Sequence, residues 1–225
     1  MLSRSLKSKL FRTIGSLTVA GIVLAGVATT TAFALSSPQA VRADDITPPP
    51  LPPGLAPVPA GNTLFLGTHA VGTQNYVCKP SGAGVAYVLF TPQATLFGED
   101  GGQVITHYNS PNPFEPNTDP KVVAPEGTIR ATWQNKDTSK VWAKIHQPNG
   151  AVTVKQDAIA WLLLDGVGSQ NGPTGGDKLF GTTFVQRLNT TGGLAPATGC
   201  SSLTDVGNTA FVPYTADYFF YKKAD

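Results

Sequence analysis

Two stretches near the C-terminus constrain the fold more than any other part of the chain. Gly181 to Cys200 reads GTTFVQRLNTTGGLAPATGC, and Val212 to Tyr221 reads VPYTADYFFY. Each alternates apolar and polar residues with a period of two, the pattern of a strand whose two faces meet different surroundings. The first ends in Cys200, the only cysteine of the C-terminal half; its one possible partner is Cys78. Two alternating strands joined by a Gly/Pro-rich connection, and stapled to the N-terminal half through Cys200, predict the centre of a β-sheet core.

The upstream sequence supplies more strands of the same kind. Asn62–Gly67, Ala70–Cys78, Val85–Thr91 and Ala94–Phe97 are strand-like, and Gly98-Glu99-Asp100-Gly101-Gly102 is a hairpin signal leading to Gln103–Tyr108. Asn109–Gly127 holds five prolines and no alternation, which predicts a long loop. Ile129–Gln134 and Lys140–His146 flank a polar turn. The run AIAWLLL, ending at Leu164, reads as a buried central strand, and Asp165–Asp177 as a Gly-rich loop before a strand over Leu179–Asn189. No three-turn amphipathic helix is visible after the leader. The expected fold is all-β, an antiparallel β-sandwich or barrel of about nine or ten short strands, forming a single domain over residues 61–225.

Residues 1–34 have the form of a secretory signal peptide. Arg4, Lys7, Lys9 and Arg12 precede an apolar stretch from Ile14 to Ala28, and Ala32-Phe33-Ala34 is a small-x-small cleavage site. The alternative, an uncleaved anchor, needs about 20 apolar residues, and this run is shorter and diluted by Ser, Thr and Gly. Residues 35–60 read as a Pro-rich disordered linker, with seven prolines between Pro48 and Pro59. Export to a secreted or extracytoplasmic location, with no stable membrane span after cleavage, is therefore expected. In that oxidising setting Cys78 and Cys200 are expected to pair, which the chain-entropy model values at about 4 to 5 kcal/mol.

Charge excludes one class of partner. Four of the 16 Lys and Arg lie in the leader and none of the 14 Asp and Glu do, so the remainder carries 12 basic against 14 acidic side chains. With no basic run and no aromatic-basic interleaving, nucleic acid is not an expected partner.

HAVGTQNYVC (69–78), TPQATLF (91–97), ITHY (105–108), ATWQ (131–134), AWLLL (160–164), VQRLNTTGGLAPATGC (185–200) and VPYTADYFFY (212–221) carry a resemblance. Together they resemble a domain-of-unknown-function family of secreted bacterial and fungal proteins, some members of which carry a malate dehydrogenase label. The resemblance spans about Asn62 to Tyr221 and implies one domain; the Pro-rich insert Ser110–Gly127 departs from the shorter members. A dehydrogenase of that type needs G-x-G-x-x-G between a strand and a helix. Gly82-Ala83-Gly84 and Gly166-Val167-Gly168 lack the third glycine and a following helix, so an NAD-dependent activity is rejected.

Other motifs are weak. There is no G-x-S-x-G elbow, Walker loop or H-E-x-x-H, and His69, His107 and His146 have no second ligand at metal-binding spacing. No metal or other cofactor is expected. Asn189-Thr190-Thr191 is formally a glycosylation acceptor. Polar residues on apolar strand faces are more informative: Gln186 shares a face with Phe184 and Leu188, Arg187 shares the other with Val185, and Asp217 lies with Phe219 and Tyr221. Arg187 and Asp217 are the candidate structural ion pair, the alternative being that they and Gln186 line a pocket in the sandwich or barrel mouth; His107 and Gln186 are the candidate ligand-binding residues, His107 because it stands just before the long Pro-rich loop.

The leading functional expectation is an exported binding or surface-interaction module whose partner is an unknown small molecule or cell-surface component. An extracellular hydrolase or lyase acting on carbohydrate is the first alternative. It requires two convergent carboxylates, for which Asp100, Asp165 and Asp217 are the candidates. A structural cell-surface component is the second.

Overall fold

A computed structural model describes residues 46–118 and 126–224; the expected leader and the first part of the expected linker lie outside them. Nine strands follow one another: β1 (Asn62–Ser81), β2 (Gly84–Phe97), β3 (Gln103–Asn112), β4 (Thr128–Asn135), β5 (Lys140–Ile145), β6 (Ala151–Val152), β7 (Trp161–Gln170), β8 (Thr182–Gly192) and β9 (Thr209–Lys223). Among the described residues the one helical element is a 3-10 turn at Leu203–Asp205. The fold is all-β, as the alternation predicts.

The choice between sandwich and barrel is decided by two pairings between strands distant in sequence. β9 returns to pair with β1 along most of its length, and β5 pairs with β7 past the two-residue β6. Every neighbouring pair is antiparallel, so eight strands close in sequence order into a barrel, with β6 attached beside the first residues of β7. Every strand of the ring is paired on both sides over part of its length, while β2 before Ala94 and β3 after His107 keep one side unpaired.

Several strands are longer than local punctuation suggests. Asn62–Gly67 and Ala70–Cys78 belong to one 20-residue strand, because Gly67 and Gly72 sit inside paired backbone rather than ending it. A Cβ on Gly72 would lie 2.2 Å from the Gln93 carbonyl oxygen. β3 continues to Asn112 through Pro111, where β4 alone remains paired beside it, a setting that tolerates a missing N–H. The expected loop 165–177 begins as strand for a similar reason: Gly166 lies in β7, where a Cβ would meet the Thr182 carbonyl oxygen at 2.4 Å.

Two apolar layers share the barrel wall. The interior holds Leu96, Ile105, Trp133, Val141, Leu164, Val185, Tyr218 and Phe220. Outside, Trp161, Leu163, Leu188, Phe219 and Tyr221 pack against Leu55, with Leu51, Ala56 and Val58 alongside. The run AWLLL is continuously apolar because β7 is buried on both sides, Leu162 and Leu164 inward and Trp161 and Leu163 outward.

The Pro-rich stretch is therefore not a free spacer over residues 46–60. Leu55 is 6% exposed, and the Ala56 N–H donates to the Asn149 carbonyl at 2.8 Å. Proline suits such a strap because it brings apolar surface without an N–H that must find a partner.

Cys78 and Cys200 are bonded, with Cα atoms 5.5 Å apart. Cys78 also accepts from the Gly207 N–H and donates to the Asn208 carbonyl, so the bridge holds the 193–208 connection against the part of β1 beyond the cavity.

Candidate functional site

The barrel has a filled end and an open one. At the filled end Leu179 turns into the core beside Phe65, Leu66 and Val104. Its closing loop is tied to the β4–β5 hairpin through Asp137, which accepts from the Ser139 and Lys178 N–H groups at 2.9 Å each. Burial pulls the Asp137 carboxyl pKa up, but these hydrogen bonds outweigh it and the group sits below its ordinary value.

At the other end the interior widens into a cavity of about 470 Å³. Its apolar lining comes from Pro92, Ala131, Trp133, Ala143, Leu162 and Leu164. Gln74 from β1, His107 from β3, Arg187 from β8 and Tyr218 from β9 add the polar groups, with Arg130 and Lys144 also in the wall. The inward parity of each strand puts these side chains there: Gln74 is four positions on from Ala70, and His107 two from Ile105.

His107 is a neutral hydrogen-bonding group here. Its ring is stacked on Trp133 with centroids 4.3 Å apart and meets Tyr218 edge-on. Nδ1 lies 2.8 Å from the Thr132 carbonyl oxygen, so Nδ1 carries the proton and Nε2 is the acceptor. Burial drives its pKa down to about 3; the Thr132 bond opposes this and the Arg187 charge adds to it. The Tyr218 phenol is likewise pushed above its ordinary pKa by burial, with Arg187 pulling the other way.

Arg187 is half-buried and donates from Nε and Nη2 to the Ala160 carbonyl, at 3.1 and 2.9 Å. It forms no ion pair with Asp217. Arg187 lies opposite Tyr218 in the β8–β9 register, on the inner face, whereas Asp217 lies opposite Leu188, on the outer one. The wall of the barrel separates them. Asp217 is bonded to His69 Nδ1 at 2.8 Å and to the Asn189 amide at 2.7 Å.

Gln186 is also on the outer side. It is 2% exposed and accepts the Tyr221 hydroxyl at 2.6 Å, in the layer that contains Phe184 and Leu188, so it does not reach the cavity that His107 lines. The three aspartates considered for carbohydrate cleavage are dispersed. Asp100 accepts from Gly102 in its hairpin, Asp165 is held by His146 at 2.7 Å, and none of the three lines the cavity.

The family profile described as protein of unknown function (DUF3455) matches residues 59–222. The chain belongs to that family. Its match runs from just before β1 to the last residues of β9, so the family domain is the barrel with its cavity and disulfide, while most of the strap precedes it. No curated protein and no solved structure matches the chain.

Sequence reasoning missed Gln74, Trp133 and Tyr218 as site residues. A signal existed for Gln74, a large amide on the face of β1 that carries Ala70, but nothing local marks that face as the interior. Trp133 and Tyr218 read as ordinary core aromatics, which in part they are.

Proposed function

We propose that this protein is an exported binding module that takes a small, partly apolar molecule into the open end of its barrel. The observation that carries this reading is the cavity itself. Its volume of about 470 Å³ falls within the range of roughly 300 to 1,000 Å³ common for small-molecule sites, and its wall is mostly apolar with a few convergent polar groups. A barrel of eight strands is just wide enough to be filled by side chains or to hold one small ligand. Here alanines at 131 and 143, facing one another in β4 and β5, leave space that larger residues occupy at the filled end.

Export is supported by the paired cysteines and by the leader-like sequence; among the described residues no helix is long and apolar enough to cross a membrane. The carboxylate-based alternative finds no support in the cavity, which has no Asp or Glu in its wall.

The test is binding of a neutral apolar fluorophore, N-phenyl-1-naphthylamine, to the purified protein. One saturable site is expected, lost when Ala131→Phe places a ring in the cavity while the far-ultraviolet circular dichroism stays unchanged. Absence of saturable binding in the wild type, or equal binding in the filled variant, sinks the reading.

A further inference from the structure

We infer that the molecule bound in the barrel mouth carries a carboxylate, held by the Arg187 guanidinium. This rests on the cavity being a binding site and adds the charge class of its ligand.

Three features of the wall converge on an anion. First, Arg187 has no acidic partner among the described residues: the ion pairs there are His69 with Asp217, Arg130 with Glu115, and His146 with Asp165. A half-buried cation without a counter-charge is costly unless something supplies one. Its two bonds to the Ala160 carbonyl use Nε and one proton of Nη2, which fixes the plane of the guanidinium; the Tyr218 hydroxyl is near enough to interact with a further N–H, and the five donors of the group exceed these two partners. Such a plane matches the two oxygens of a carboxylate.

Second, the buried side-chain donors of the wall outnumber their partners. The Gln74 amide nitrogen and the Trp133 indole nitrogen are both buried and make no hydrogen bond; Gln74 is 2% and Trp133 1% exposed. The Gln74 amide stands beside the Tyr214 hydroxyl, close enough to lower that phenol's pKa slightly, but without normal hydrogen-bond geometry. Orphaned buried donors are rare in folded proteins, and these two leave the wall short of acceptors rather than of donors.

Third, the sign of the wall is uniform. No carboxylate lines the cavity; Arg130 is neutralised by Glu115, and Lys144, one position past the inward Ala143, is exposed with its charge also felt by Glu115, which leaves Arg187 as the cation facing the ligand. His107 adds no positive charge, because its ring is held neutral. The remaining surface, with Trp133, Leu162, Leu164 and the His107 ring, suits an aryl or alkyl body.

The experiment compares 2-naphthoate with its neutral near-isostere 2-naphthamide by calorimetry at pH 7 and low salt, on the wild type and on Arg187→Gln. The wild type is expected to prefer the carboxylate by at least about tenfold, the effect of one charge-assisted contact. In Arg187→Gln the carboxylate loses about tenfold and the amide changes little. Should that variant fail to fold, the wild-type comparison alone decides. Amide binding as tight as or tighter than the carboxylate overturns the inference. So does binding of N-phenyl-1-naphthylamine without binding of naphthoate, an outcome that leaves the cavity standing as a site. If none of the three probes binds, the reading beneath it has failed.

Discussion

The two ends of the barrel are lined by the same eight strands and hold opposite kinds of interior. At the filled end Leu96, Ile105, Val141, Leu179 and Phe220 are each at most 1% exposed, and the closing loop is fixed by hydrogen bonds to Asp137. At the open end Gln74, His107, Arg187 and Tyr218 face about 470 Å³ of unfilled space. One end converts apolar burial into stability; the other holds desolvated donors and a cation, which stabilise little. The contrast teaches that stability and recognition are separated along the barrel axis, so substitutions should sort by end.

The largest effect is expected at the filled end. Phe220→Ala removes a fully buried ring packed edge-on to Trp133 and should cost about 3 to 5 kcal/mol in urea unfolding. A loss below ~1 kcal/mol would break the contrast. Next comes the strap on the outer face. Leu55→Ala should cost about 2 to 3 kcal/mol, towards the lower end for a buried leucine because the strap has solvent on its far side. An unchanged unfolding midpoint would mean that the strap contributes nothing to the barrel's stability.

At the open end the expected signature is a pH dependence. Free imidazole protonates near 6.5, while burial holds His107 at about 3. The unfolded chain therefore takes up a proton that the native state refuses. Stability that depends on the neutral ring is complete above pH 6.5 and drains away as pH falls towards 3, by up to about 1.4 kcal/mol per pH unit. His107→Gln should flatten the fall in urea midpoint between pH 6.5 and 4.5; parallel curves for the two proteins would refute the assignment.

The smallest effect is an absence of coupling. Arg187 and Asp217 lie on opposite faces of the wall, so the costs of Arg187→Gln and Asp217→Asn should add to within ~0.5 kcal/mol in a double-mutant cycle. A larger interaction energy would mean that the two faces communicate through β8 and β9.

Much of this was legible residue by residue. The alternation correctly grouped Gln186 with Phe184 and Leu188, Arg187 with Val185, and Asp217 with Phe219 and Tyr221. It could not say which group faces inward, because the strap makes the outer face of β7, β8 and β9 as apolar as the inner one. Arg187 and Asp217 looked like a pair because charge complementarity can be read locally, while register cannot. One position in the β8–β9 pairing sets Arg187 beside Tyr218 and sends Asp217 to His69. Gln186 was misplaced for the same reason: a buried amide in an apolar layer looks alike whether it faces a cavity or a strap.

The sequence by itself determined the all-β class, the positions of most strands, the pairing of Cys78 with Cys200 and membership of the family. These follow from side-chain alternation along a pleated strand, from punctuation by Gly and Pro, and from there being only two cysteines, all of which act locally or by count. Tertiary structure alone decided that the sheet closes into a barrel, that residues 46–60 cover its outside, and that one end is left unfilled with Arg187 in its wall. Those outcomes depend on which distant strands meet and in what register, and on whether facing side chains such as Ala131 and Ala143 together fill the space between them. Period-two alternation has the same form whichever face turns inward, so the choice falls to the contacts that close the ring.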